Sequence, residues 1–279
     1  MKHCQLTPGR ISAYEKHLRR EERAPATVTK YLRAVRELAA FLDGRPVTKE
    51  NLLEWKERLL SAGLSPATVN GRLSALSGLL RFLGREDCRV KFLRLQRRTF
   101  RERELTRMEY LRLLETARET GRERLALLME AICSTGIRVS EVRFLTVEAA
   151  EQGRAVVRLK GKVRTILLPG KLRRKLLKFA RKQKTASGEI FLTEGGKSVS
   201  RRQIWREMKS LCSRAGVEKA KVFPHNLRHL FAATFYRVCR DIVKLADLLG
   251  HSSIDTTRTY LLTSGQEHIR CLERLRLIC

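Results

Sequence analysis

A chain of 279 residues is long enough for one large domain or two modest ones. Its 59 Lys and Arg residues outnumber 29 Asp and Glu residues, and its formal net charge is +30 at pH 7. Because so large a charge is self-repulsive in a compact fold, it favours a polyanionic partner, and nucleic acid suits it better than a membrane surface. No apolar run reaches the roughly 18 residues that crossing a bilayer requires, so we expect no membrane-spanning segment.

The N-terminal segment lacks the apolar stretch of a signal peptide. Seven cysteines are scattered along the chain and none are paired as CxxC, which argues against a disulfide framework and against a structural zinc site. We therefore expect reduced thiols and a cytoplasmic protein.

Residues 1–85 predict a purely helical domain, because apolar residues recur there at helical spacing. Its helices are expected over 10–20, over 28–42 with Thr27 as the cap, from Thr48 to Gly63, and from Ser65-Pro66 onward. Residues 86–104 predict a basic linker, since eight Arg and Lys residues and four acids lie between Gly84 and Leu105. This segment is either a solvated charged loop or a linker that lies on phosphates.

Residues 105–279 predict a second domain of mixed character. Helices are expected at about 107–119, 122–134, 171–184, 200–215, 224–238, 241–249 and 253–262, and a strand pair at 155–159 and 163–169. The fold class is therefore mainly α with a small antiparallel β-sheet: a helical domain followed by a mixed α/β domain. Residues 266–279 predict a tail helix that packs either on a neighbouring protomer or on its own domain.

Two segments combine arginine and histidine in ways that suit phosphate chemistry. TGIRVSE places Arg138 at a predicted helix start, where free amides and a guanidinium fork would grip a phosphate, although by itself it is more simply a surface arginine in a turn. HNLRH places His225, Arg228 and His229 on one helix face, with a titratable proton carrier beside a permanent charge. A basic helix lying on a DNA backbone is the alternative.

Two further segments carry little weight alone. LGHSSIDTTRTY places His251 just past a helix stop and Tyr260 near a helix end, where both residue types are usually structural. KGKVR places Lys160 and Lys162 on a hairpin, where lysines are ordinarily solvated. Taken together and in order, however, the four segments supply what metal-free phosphodiester transfer needs: a nucleophile, cations for a pentacoordinate phosphate, and proton donors and acceptors. We expect neither a metal ion nor a cofactor, because no carboxylate cluster would hold Mg²⁺ well.

These segments, extended to HNLRHLFAATF and LADLLGHSSIDTTRTY, resemble the catalytic boxes of the tyrosine recombinase family (phage integrases and Xer-like proteins). The resemblance covers roughly residues 105–265, and the helical N-terminal part resembles the core-binding domain of that family more loosely. It implies that Tyr260 is the nucleophile, that Arg138 and Arg228 clamp the scissile phosphate, that His225 carries a proton, and that His251 hydrogen-bonds the phosphate.

The resemblance also implies supporting roles. Lys160 would protonate the departing 5′-oxygen, and Lys162 is its rival. Aligned without gaps, the hairpin places Lys160 at the end of the first strand and Lys162 at the tip. Glu141 would support the residues that contact the phosphate without touching it itself. His229 would orient or pack against its neighbours in the site and would not react.

The implied reaction is transesterification through a 3′-phosphotyrosyl intermediate, without ATP, on double-stranded DNA. The family's usual assembly is a homotetramer on two DNA sites, acting in integration, excision or resolution. A type IB-like topoisomerase and a non-catalytic DNA-binding protein are the alternatives, and the separate helical domain and compact box spacing favour the recombinase.

Overall fold

The computed structural model describes residues 4–95, 104–159, 162–251, 253–260 and 273. The chain divides into two compact units, Met1–Arg97 and Arg98–Cys279, and the division falls inside the predicted linker. Among the described residues no helix is both long and apolar enough to cross a bilayer. The helices and the small two-stranded sheet confirm the predicted fold class.

Four α-helices make up the described part of the first unit. They are α1 (Pro8–Arg20), α2 (Pro25–Leu42), α3 (Lys49–Ser61) and α4 (Pro66–Phe82). Thr48 and Ser65 accept hydrogen bonds from backbone amides of the first turns of α3 and α4, as the sequence predicts. The prediction for Thr27 is wrong: α2 begins at Pro25, whose fixed φ suits the first helical position, so Thr27 lies inside the first turn.

The first unit extends beyond the predicted boundary at residue 85. Cys88 and Val90 are buried in its apolar core, after a short 3₁₀ turn at Glu86–Cys88. The side chain of Asn70 on α4 both donates to the backbone carbonyl of Leu93 and accepts from its amide, each at 2.9 Å. The early part of the expected linker is therefore folded against the helices.

The second unit is built around α6. Its helices are α5 (Arg107–Glu119), α6 (Glu123–Thr135), α7 (Val147–Gln152), α8 (Gly170–Lys182), α9 (Arg201–Leu211), α10 (Pro224–Cys239), α11 (Ile242–Leu249) and α12 (Ile254–Arg258). Helix α6 is buried along most of its length and contacts α5, α8, α9 and α10. The helix start predicted at Arg138 is a short 3₁₀ segment, Val139–Phe144, which Arg138 precedes. The short helix α7 was not predicted, because its six residues are too few to show helical periodicity.

A hairpin of two strands, β1 (Arg154–Leu159) and β2 (Lys162–Leu167), completes this unit. Leu159 pairs with Lys162, so only two residues separate the strands. The placement of Lys162 at the hairpin tip is therefore wrong, because Lys162 is the first residue of β2. Lys160 lies outside the described residues, as does the side chain of Lys162.

Candidate active site

The first part of the site lies at the C-terminal end of α6. Gly136 ends the helix with φ +64°, and a Cβ there would lie 2.6 Å from the ring of Phe231, so only glycine fits. Two residues later the backbone amide of Arg138 donates to Glu141 Oε2 (2.9 Å), and Arg138 Nη1 donates to Glu141 Oε1 (3.0 Å). These bonds fix both ends of the arginine against one carboxylate.

Glu141 is buried, with 3% of its surface exposed, and it also accepts a hydrogen bond from Arg164 Nη2 on β2. Burial alone would raise the pKa of this carboxyl, but hydrogen bonds from Arg164 and Arg138 outweigh it and lower the pKa. Glu141 is therefore ionised at neutral pH and serves as the shared anchor of two arginines. Its supporting role in catalysis stays a prediction.

Arg228 on α10 is only 1% exposed. It donates to the carbonyl of Gly136, to the carbonyl of Leu249 (2.8 Å) and to His251 Nε2 (3.0 Å). Desolvation lowers its pKa to about 10, so the guanidinium keeps its charge at neutral pH. A buried permanent cation of this kind suits an anionic ligand such as a phosphate.

The C-terminal end of α11 is held by three arginines. Its last carbonyls have no partners within the helix, as at any helix end. Each accepts from a different arginine: Leu248 from Arg164 (3.0 Å), Leu249 from Arg228 (2.8 Å) and Gly250 from Arg138 (3.4 Å). These three consecutive carbonyls thus hold three guanidinium groups beside the loop that carries His251.

His251 follows Gly250 directly. Because a guanidinium nitrogen only donates, His251 Nε2 accepts the bond from Arg228, and the ring proton lies on Nδ1, which donates to Thr257 Oγ1 at 2.8 Å. Desolvation, then the charges of Arg228 and Arg138, lower the pKa of His251 to about 4. In this structure the imidazole is neutral and bonded to Arg228.

Tyr260 lies just after α12 and is 7% exposed. Its ring centroid lies 4.1 Å from that of His229, 5.2 Å from that of His251 and 5.4 Å from that of His225. The guanidinium carbon of Arg228 is 5.8 Å from the same ring centroid. The tyrosine is therefore enclosed by three histidines of its own chain, at the edge of the cationic cluster.

The structure brings together seven of the predicted site residues: Arg138, Glu141, His225, Arg228, His229, His251 and Tyr260. They differ in burial, since His225 is exposed whereas Arg228 and His229 are buried. Within the described ranges no group of three or more His, Cys, Asp or Glu side chains could hold a metal ion.

Arg164 is a site residue that sequence reasoning missed. It stands in KGKVR, two residues into β2, where a basic side chain is ordinarily solvated. Its side chain is instead 13% exposed and reaches Glu141. The only signal in the sequence was its place in a segment already singled out for its lysines.

Comparison with known proteins gives the context of this site. Residues 103–267 match the phage integrase family, and residues 11–87 match the phage integrase N-terminal SAM-like domain. The chain is 30% identical over 250 residues to the tyrosine recombinase XerA of Pyrococcus furiosus, covering 86% of each chain. It is 29% identical to the tyrosine recombinase XerD of Rhizobium meliloti, covering 91% of each.

Among solved structures, the fold is similar to that of a lambda integrase tetramer bound to a Holliday junction. The TM-score is 0.74 at 20% identity, over 90% of this chain and 76% of the integrase chain. At this identity the likeness concerns the fold, and it agrees with a mainly helical chain that carries one small sheet.

Proposed function

The chain belongs to the phage integrase family and is a tyrosine-type site-specific recombinase, and from this premise we propose that Tyr260 is its nucleophile. One observation carries the proposal. The C-terminal ends of α6 and α11 and the N-terminal part of α10 converge, so that Arg138, Arg228, His251 and Tyr260 lie in one cluster. This cluster combines two permanent cations, of which Arg228 is buried, with histidines and a tyrosine hydroxyl, and phosphodiester transfer requires groups of these kinds.

In the proposed cleavage step the Tyr260 hydroxyl oxygen attacks the scissile phosphorus, and the bond from phosphorus to the 5′-oxygen breaks. The tyrosine proton passes to His225, whose ring lies 5.4 Å from the tyrosine ring. A proton from Lys160, or from its rival Lys162, passes to the departing 5′-oxygen. The product is a 3′-phosphotyrosyl bond and a free 5′-hydroxyl.

Arg138 and Arg228 would neutralise the charge that develops on the non-bridging oxygens. Both side chains are held by protein acceptors before any DNA arrives, so they need little reorganisation. Rejoining is the reverse reaction, in which a 5′-hydroxyl of a second duplex attacks the phosphotyrosyl bond. The number of phosphodiester bonds is preserved, and no ATP is needed.

We propose a homotetramer on two double-stranded DNA sites, which is consistent with the fold likeness to the lambda integrase tetramer. The match of residues 11–87 to the SAM-like domain supports a core-binding role for the first unit. The predicted cytoplasmic location, with nucleoid association on DNA, stays a prediction. No observation favours the topoisomerase or the non-catalytic alternative.

Nicked duplexes with randomised arm sequences test the nucleophile. Cleavage next to the nick releases a short strand, which diffuses away and leaves the covalent product trapped. The wild-type chain should form an adduct, and peptide mass spectrometry should place the nucleotide on Tyr260. Tyr260→Phe should bind the duplexes selected with the wild-type chain, but it should form no adduct. Tyr236→Phe is the matched control, since Tyr236 packs against the small apolar cluster that includes Tyr260 and should be dispensable. An adduct that survives Tyr260→Phe would sink the assignment.

A further inference from the structure

Arg164 connects two parts of the site that are distant in sequence. Its Nη2 donates to Glu141, and its Nη1 donates to the carbonyl of Leu248 at 3.0 Å. One guanidinium thus joins the carboxylate that orients Arg138 to the end of the helix that precedes His251. The Nε of Arg164 is buried without a hydrogen-bond partner, a cost that its two other contacts must offset.

The stem of Arg164 is as tightly placed as its head. A Cβ on Gly250 would lie 2.5 Å from Arg164 Cδ and 3.2 Å from its Nη1, so the side chain runs directly against the backbone at Gly250. Gly250 itself has φ +62°. The loop after α11 and the guanidinium therefore cannot move independently.

The charge of Arg164 also reaches the histidine. After desolvation and the charges of Arg228 and Arg138, Arg164 is a further cause of the lowered pKa of His251, followed by His225. A change at Arg164 therefore has a readout at His251 in the protein without DNA.

We propose that Arg164 is a positioning residue, which sets Arg138 and His251 in register by joining Glu141 to the carboxyl end of α11. The inference rests on the proposed function of the site. Arginine is required because its planar fork serves two acceptors in fixed directions, whereas a lysine ammonium is a single point charge on a flexible stem.

The experiment compares Arg164→Lys with Arg124→Lys in the full chain. Arg124 on α6 makes the same pair of contacts elsewhere in this unit, to the carbonyl of Leu192 (2.7 Å) and to Glu207 (2.7 Å). Each variant keeps the positive charge but loses a guanidinium that donates to both a backbone carbonyl and a carboxylate. Thermal unfolding of both variants checks that each is folded before their rates are compared.

The first readout is single-turnover adduct formation on a nicked duplex selected with the wild-type chain. We expect Arg164→Lys to slow it about 10- to 100-fold, the scale for a displaced reacting group, with little change in DNA affinity. Arg124→Lys should stay close to wild type. Equal rates for Arg164→Lys and wild type, or equal losses in the two variants, would overturn the inference.

The second readout is the ¹⁵N spectrum of His251 without DNA. Wild type and Arg124→Lys should show the proton on Nδ1, and Arg164→Lys should show a shifted or mixed tautomer because the loop is released. An unchanged His251 spectrum in Arg164→Lys would contradict the positioning role. If the wild-type chain forms no adduct, the proposed function fails, and this spectrum still decides the role of Arg164.

Discussion

Gly250→Ala should be much more costly than an ordinary substitution at a helix end. Two effects add: alanine is strained at φ +62°, and its Cβ would lie 2.5 Å from Arg164 Cδ. The first effect costs about 1–2 kcal/mol. The second cannot be relieved cheaply, because Cδ lies in mid-chain and the guanidinium beyond it is bonded to Glu141 and Leu248.

Moving Arg164 away would break hydrogen bonds that involve charged groups, each worth about 1.5–3 kcal/mol. Glu141 keeps its bonds to Arg138, so we count the loss as about 2–4 kcal/mol rather than the full sum. The free energy of unfolding of the second unit should therefore fall by about 3–6 kcal/mol in Gly250→Ala.

Gly216 provides the matched control. It also has a left-handed conformation, with φ +59°, but nothing lies within 4 Å of a Cβ built there. Gly216→Ala should therefore show only the conformational cost of about 1–2 kcal/mol. Both glycines lie in the second unit, so the two variants report on the same unfolding transition.

The assay is urea unfolding followed by tryptophan fluorescence. The chain has two tryptophans, Trp55 in the first unit and Trp205 in the second, so a Trp55→Phe background reports on the second unit alone. A double-mutant cycle with Arg164→Ala isolates the clash. When Arg164 is replaced by Ala, Gly250→Ala should lower the free energy of unfolding by no more than Gly216→Ala does. If the two glycine variants lower it equally while Arg164 is present, the proposed clash is refuted.

Three further predictions concern the chemistry of the site. The lysine in Arg228→Lys cannot donate to all three acceptors of the buried guanidinium, so the rate of cleavage in the adduct assay should fall on the order of 10²–10³-fold. Near-normal cleavage would show that Arg228 only contacts the DNA backbone. Folding lowers the pKa of His251 from 6.5 to about 4, so the unfolded state takes up this proton at a higher pH than the folded state. The free energy of unfolding should therefore fall as the pH drops from 6.5 to about 4. In urea titrations His251→Gln should lack this contribution to the pH dependence, and identical pH profiles for variant and wild type would contradict the prediction. A 5′-bridging sulfur at the scissile phosphate should rescue cleavage by Lys160→Ala but not by Lys162→Ala, and the reverse pattern would exchange their roles.

Helix positions were largely predictable because they depend on neighbours within one turn. Thr48, Ser65, Ser200 and Asp241 each accept a bond from an amide two or three positions into the helix, and that pattern is visible in the sequence. The same local reasoning failed at Thr27, where a preceding proline set the start of α2. It also gave no sign of α7, whose six residues are too few to show a period.

The order and spacing of four short segments were enough to identify the family, since side-chain types and chain separations are properties of the sequence. The state of the site residues was not predictable in this way. Arg138 meets Gly250 across 112 residues, and Arg164 meets Leu248 across 84. No local pattern encodes such a pairing, because it exists only where a hairpin and two helix ends are packed against one buried carboxylate. Only that packing lowers the pKa of His251 and makes Arg164, whose position in the sequence predicts a solvated strand residue, part of the site.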